Sequence, residues 1–140
     1  MGLDERVLIV DDSSVVRALL RSALEGAGYW VDEAQDVETA RALLDARGYD
    51  LVITDLVMPR RGGFELVKPA RSAGAVVIVL TAALSADLHA RALELGAEAC
   101  LAKHPGVARE VVSAARRVLE APIPQAGGRH SGLAWPLVAA

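Results

Sequence analysis

Cysteine is almost absent from this chain: Cys100 is the only one, so no disulfide can close within the 140 residues and no all-thiolate metal site can form. Aromatic residues make up only 4% of the sequence, which leaves the core to aliphatic side chains, and hydrophobic residues at 53% supply enough of them for one globular domain. No apolar run approaches the ~20 residues that a membrane helix needs. The charged N-terminal stretch Gly2-Leu3-Asp4-Glu5 leads straight into a strand-like run and does not read as a signal peptide. A reducing, cytoplasmic setting without membrane attachment is expected. Strong charge of one sign is missing too: the formal net charge is −3 and the fifteen basic residues are scattered, leaving no electrostatic footprint for nucleic acid. The stretch after the last helical pattern, about twenty residues, is too short for an appended DNA-binding domain of ordinary size.

What is present is a repeated alternation. Arg6-Val7-Leu8-Ile9-Val10 is a short apolar run of the kind expected for a strand covered on both faces, and it stops at Asp11-Asp12. Ser13 or Ser14 can cap a helix in which Val16, Leu19, Leu20, Ala23 and Leu24 recur at helical spacing until Gly26 and Gly28 end it. Tyr29 to Ala34 reads as a second strand, and Asp36 can cap a helix carrying Val37, Ala40, Leu43 and Leu44, closed near Gly48. Leu51-Val52-Ile53-Thr54 is another buried strand ending in Asp55, and Met58-Pro59-Arg60-Arg61-Gly62-Gly63 marks a loop. The third helix runs from about Phe64, and Pro69 predicts a kink or a short helix. Val76 to Leu80 is the fourth strand, ending at Thr81; Ser85 caps a helix that ends at Gly96. Cys100-Leu101-Ala102 is a brief fifth strand ending at Lys103. Val107 to Leu119 is the last helix, with Val107, Val111, Ala114, Ala115 and Val118 on one face.

Strands alternating with helices in this way imply a doubly wound parallel sheet, because right-handed crossovers place helices on both faces. The expected order is 2-1-3-4-5, which makes strands one and three neighbours at the switch point where ligands bind beyond the carboxyl ends of the strands. The domain is expected to occupy residues 1–120. The Pro- and Gly-rich segment 121–140 has no periodicity and reads as a mobile extension, unless its Trp135 and Leu137 dock on the domain.

Asp11-Asp12, Asp55, Thr81 and Lys103 all follow apolar runs, so they should converge on one edge of the sheet. Asp12 and Asp55 could share a hard cation, and Mg²⁺ prefers carboxylate and water oxygens together with a phosphate. Lys103 brings a positive point charge and Thr81 a hydroxyl, both suited to a phosphoryl group in transfer. An aspartate can itself be the nucleophile. The bland alternative is that an Asp after a strand merely caps a helix or forms a turn, and that Thr81 and Lys103 are an ordinary strand end and a solvated lysine. His89, His104 and His130 show no metal-ligand spacing.

The order VLIVDDSS, LVITDLVMPRRGGFEL, VIVLTA and LAK resembles the receiver domains of two-component response regulators over about residues 6 to 119. The most specific part is Asp55, Leu56, Met58 and Pro59, with Gly63 eight residues past the Asp. The resemblance implies a flavodoxin-like (βα)5 fold and a signalling switch, not an enzyme with a separate substrate. It implies that Asp55 accepts a phosphoryl group, Asp12 ligates Mg²⁺ directly, Asp11 ligates it largely through water, and the backbone carbonyl of Val57 adds a further ligand. Thr81 and Lys103 match the phosphoryl-contacting pair. The implied donor is a phosphohistidine on a sensor histidine kinase or a histidine phosphotransfer protein, docking near the first helix. The downstream partner, a homodimeric state, and the choice between lone regulator, phosphorelay shuttle and part of a longer protein stay open.

The chain departs from the family at two positions. Receivers usually follow the lysine with a cis-proline, whereas this chain reads Lys103-His104-Pro105; any cis bond would fall more cheaply at His104-Pro105. They also usually carry an aromatic residue where this chain has Cys100. Two rivals stand beside the switch: a receiver-like interaction module that is never phosphorylated, and an enzyme on a similar fold. An aspartyl phosphatase would need an acid-base Asp where Val57 stands, and no phosphate-cradling glycine loop for a flavin follows the first strand.

Overall fold

The computed structural model describes residues 5–58, 62–82 and 84–120. The chain alternates strand and helix throughout: β1 (Arg6–Val10), α1 (Ser14–Gly26), β2 (Trp30–Ala34), α2 (Val37–Ala46), β3 (Leu51–Asp55), α3 (Phe64–Ser72), β4 (Val76–Thr81), α4 (Ala86–Leu95), β5 (Ala99–Ala102) and α5 (Val107–Glu120). All strand pairings are parallel, in the order β2-β1-β3-β4-β5 that the alternation predicts. No described helix is long and apolar enough to cross a membrane. The 121–140 extension and the Pro59–Arg61 part of the loop after β3 lie outside the described residues.

Successive strand residues point to opposite faces, so one apolar run feeds two cores. Leu8, Val10, Val52, Val77 and Val79 face α2, α3 and α4. Val7, Ile9, Leu51, Ile53, Ile78 and Leu80 face α1 and α5. The capping residues act as their positions predict: Ser13 Oγ accepts from Val16 N at 3.2 Å, Asp36 Oδ1 from Thr39 N at 2.8 Å and Ser85 Oγ from Leu88 N at 3.2 Å. Gly96 ends α4 at φ 114°, a left-handed cap that favours glycine.

Several boundaries and faces differ from the sequence reading. β2 starts at Trp30 rather than Tyr29, because the Tyr29 amide is spent on the end of α1, donating to Leu24 O at 3.1 Å. β5 starts one residue early, with Ala99 paired to Ile78. Leu19, assigned by periodicity to the apolar face of α1, is 47% exposed, while Leu20 and Leu24 carry the burial. The Pro69 expectation resolves as a short helix: α3 has nine residues, and Pro69 lies inside it.

Candidate functional site

The carboxyl ends of the strands carry the polar residues, and backbone bonds between neighbouring strands hold these ends together. Just past β1, Asp11 N donates to Ala34 O at 3.1 Å; past β3, Leu56 N donates to Leu80 O at 3.2 Å; past β5, Lys103 N donates to Thr81 O at 2.9 Å. The first and third strands are adjacent, so Asp11 and Asp55 emerge side by side, both buried, with Asp12 exposed next to them. One carboxylate oxygen from each of Asp11, Asp12 and Asp55 lies within 4.8 Å of the others. Thr81, at the end of the neighbouring β4, is buried.

Lys103 reaches into this group from β5. Its Nζ donates to Asp55 Oδ2 at 3.0 Å and forms an ion pair with Asp11 Oδ2 at 2.8 Å. The ion pair is close, but Asp11 Oδ2 accepts no well-aligned hydrogen bond despite being buried. The other oxygens are held by the backbone: Ser13 N donates to Asp11 Oδ1 at 2.9 Å, and Val57 N donates to Asp55 Oδ1 at 3.2 Å. Burial pushes the Asp55 carboxyl above the usual carboxylate range, and the Lys103 ammonium only partly offsets it. Burial works against the Lys103 charge as well, but the two carboxylates outweigh it and raise the Lys103 pKa. Three carboxylates beside one ammonium leave an excess of negative charge in a half-enclosed place. The under-bonded Asp11 Oδ2 and the exposed Asp12 carboxylate suit a hard divalent cation, so the residues present fit Mg²⁺.

Two supports were not legible as such in the sequence. Arg17 Nη1 donates to the Asp11 backbone carbonyl at 2.6 Å while its Nε donates to Glu33 Oε1 at 2.9 Å, tying the acidic loop to α1 and β2. The only cue was a basic residue one turn into the helix that follows the acidic pair. Gly63, noted only as part of a motif, lies directly on the backbone of the site: a Cβ there would come 1.8 Å from Asp55 O and 2.8 Å from Thr54 Oγ1. Its amide donates to Leu56 O at 2.9 Å, folding the loop after β3 back onto the strand end.

The histidines stand apart from this centre. Among the described residues, the one cluster of potential metal ligands is Asp11, Asp12 and Asp55; His130 lies outside them, and His104 bonds within the loop after β5. Every described peptide bond is trans, including those flanking His104, and Lys103 still reaches Asp55. Cys100 is buried in the core beneath α4, and burial pushes its thiol pKa up.

A doubly wound parallel sheet with two buried acids at its switch point, reached by a lysine from beyond β5, places the chain among the open α/β proteins whose site lies past the carboxyl ends of the strands. Within that class, the chain belongs to the response regulator receiver domain family, whose model matches residues 7–115. It is 36% identical over 128 residues to the response regulator MprA of Mycolicibacterium vanbaalenii, covering 90% of this chain and 55% of that protein. The chain thus spans about half the length of several curated relatives, and as little as 13% of another. The chemotaxis response regulator CheY4 of Vibrio cholerae superimposes with a TM-score of 0.76 at 32% identity, covering 84% of this chain and all of that one. A response regulator from Burkholderia pseudomallei, solved with a phosphorylated aspartic acid, a calcium ion and citrate, matches with a TM-score of 0.68 at 28% identity, over 86% of this chain and 76% of that one. These proteins belong to two-component signalling, and the chain is a receiver domain of that kind.

Proposed function

We propose that Asp55 is the phospho-acceptor of this receiver, taking its phosphoryl group from a phosphohistidine on a sensor kinase or a histidine phosphotransfer protein. The observation that carries the reading is the Lys103 ammonium lying between Asp55 Oδ2 at 3.0 Å and Asp11 Oδ2 at 2.8 Å, at the edge where three carboxylates meet. In transfer, the phosphorus–nitrogen bond of the donor breaks and a bond from an Asp55 carboxylate oxygen to phosphorus forms; the leaving imidazole keeps the bonding electron pair. Lys103, already at the carboxylate, exchanges its contact with Asp55 for the incoming phosphoryl oxygens, and Thr81 supplies a hydroxyl from the next strand. Val57 N orients Asp55 through Oδ1. Asp12 and Asp55 directly, Asp11 through water, and the Val57 carbonyl would hold Mg²⁺, which supplies the positive charge that this transfer of an anionic group onto an anion needs.

Val15 and Leu19, exposed at 75% and 47% on the turns of α1 next to the acidic loop, support donor docking on that helix. The test is incubation with acetyl phosphate and Mg²⁺ followed by intact mass measurement. The parent should gain one phosphoryl group, and Asp55→Asn and EDTA should each abolish the gain. Undiminished labelling of Asp55→Asn would refute the acceptor, and an unchanged rate in EDTA would refute the metal requirement.

A further inference from the structure

The loop from β5 to α5 carries the cation of the site on one side and begins a helix on the other. At its start, Lys103 N is fixed to Thr81 O at 2.9 Å; at its end, Val107 N donates to His104 O at 2.9 Å. Between these points a side chain does what a fixed turn would otherwise do. His104 Nδ1 accepts a hydrogen bond from Gly106 N at 3.0 Å, and His104 Nε2 lies 2.9 Å from Glu110 Oε2 on the first turn of α5. A ring nitrogen that accepts an N–H bond carries no proton, so the proton sits on Nε2 and is donated to Glu110. The ring also fits closely against the turn: a Cβ on Gly106 would meet His104 Cε1 at 3.2 Å and Nδ1 at 3.5 Å.

We propose that His104 is a positioning residue, whose imidazole clamps the β5–α5 loop to α5 and thereby holds Lys103 over the carboxylates. Without the ring, Gly106 N loses its acceptor, α5 loses its tether to the loop, and the residue next to Lys103 is free to drift. A long flexible lysine stem depends on where its Cα is held, and displacement by about 1 Å can cost up to ~100-fold in a positioned reaction. His104 touches no reacting atom; it acts through Lys103. This inference rests on the assignment of Lys103 and Asp55 given above.

Ring ¹⁵N spectra of the full chain test the clamp without any phosphoryl transfer, and acetyl phosphate labelling rates test its consequence. The spectra should show a bare, pyridine-like Nδ1 and a protonated Nε2 for His104, with the Gly106 amide shifted in His104→Ala. His104→Ala should be labelled about tenfold more slowly than the parent, and His104→Asn should recover most of the rate, because an Asn side chain accepts from the amide two residues on. Glu110→Ala, at a half-exposed position, removes one arm only and should slow labelling about threefold, which keeps the clamp testable if His104→Ala does not fold. A proton on Nδ1, or parent-like labelling of both His104→Ala and Glu110→Ala, would overturn the proposal. A parent chain that takes no phosphoryl group would instead overturn the acceptor assignment, while the ring spectra still decide whether the clamp exists.

Discussion

The two edges of the sheet treat their acids in opposite ways. At the amino edge, Glu5 Oε1 is buried without a partner, but Asp50 is absorbed into the fold: Asp50 Oδ2 accepts from Arg6 N at 2.9 Å, and the Asp50 backbone bonds to Arg6 on one side and Val76 on the other. The tyrosines that precede β2 and β3 also donate to acids, Tyr29 to Glu120 at 3.3 Å and Tyr49 to Asp32 at 2.5 Å. Burial, followed by the neighbouring carboxylate, pushes the Tyr29 hydroxyl up to about 12, so it stays protonated as a donor; Tyr49 is raised for the same reasons. At the carboxyl edge, two buried carboxylates share a single ammonium with an exposed third carboxylate beside them, and Asp11 Oδ2 has no aligned donor. Acids with a donor each hold a sheet together. Acids in excess of their donors are held ready for a ligand, at a cost in stability that a structural role would not require.

The contrast predicts which substitutions hurt the fold and which hurt only the chemistry. The largest loss of stability should come from Gly63→Ala, since the new methyl would lie 1.8 Å from a carbonyl oxygen that cannot move without distorting the end of β3. We expect about 3 kcal/mol in urea unfolding, with labelling reduced in whatever fraction remains folded. A stable Gly63→Ala variant would mean that the loop after β3 relaxes freely. Lys103→Met should leave two buried carboxylates without their cation, slowing labelling about a hundredfold and destabilising the metal-free protein at neutral pH more than at acid pH.

Asp55→Asn should do the reverse to stability. The folded Asp55 carboxyl lies above its ordinary value of 3.8, so the unfolded chain ionises first as pH rises, and the fold loses stability through that window. In EDTA at neutral pH, Asp55→Asn is therefore expected to be more stable than the parent, by about 1 kcal/mol, with the advantage vanishing below the ordinary carboxylate range. Equal pH profiles for the two proteins would show that Lys103 alone balances the site. At the amino edge, Asp50→Ala should cost about 1 kcal/mol and leave labelling untouched, because its hydrogen bond is exposed and remote from the transfer. Slowed labelling of Asp50→Ala would blur the division between the edges.

Sequence reasoning read the carboxyl edge better than its supports, for a physical reason. An apolar strand that must stop at a polar residue announces its end, so Asp11, Asp55, Thr81 and Lys103 could be aligned at one edge from local pattern and sheet order alone. Arg17 and Gly63 act on the backbone of the strand ends only six and eight residues before them, but by a fold-back of the chain that no local pattern announces, and nothing in the sequence distinguishes them from a solvated arginine and a loop glycine. Leu19 failed for a related reason: helical spacing gives a wide apolar stripe, but the groove between the sheet and α5 accepts only its Leu20 and Leu24 side. The role of His104 was equally hidden, since it depends on a turn whose shape the missing Lys-Pro step had left undetermined.

The finest distinction concerns what the proposed phosphorylation of Asp55 would do beyond the site. In the resemblance described above, an aromatic residue stands where this chain has Cys100, which is buried, paired across the sheet with Val79, and surrounded by the aliphatic core under α4. A small side chain already packed in that core has no ring to swing into space vacated by Thr81, and a two-state output needs an element with two arrangements to bias. The movement left to the site is that of Thr81 itself. We therefore expect beryllofluoride with Mg²⁺ to shift backbone amides around Asp55, Thr81 and Lys103 strongly, and those of α4 and α5 only slightly. Cys100→Tyr, which adds a ring at that position, should spread the shifts outward along α4 and α5. Large shifts from Leu88 through Leu119 in the parent would overturn the muted response and show that the carboxyl edge drives the distant helices without a ring.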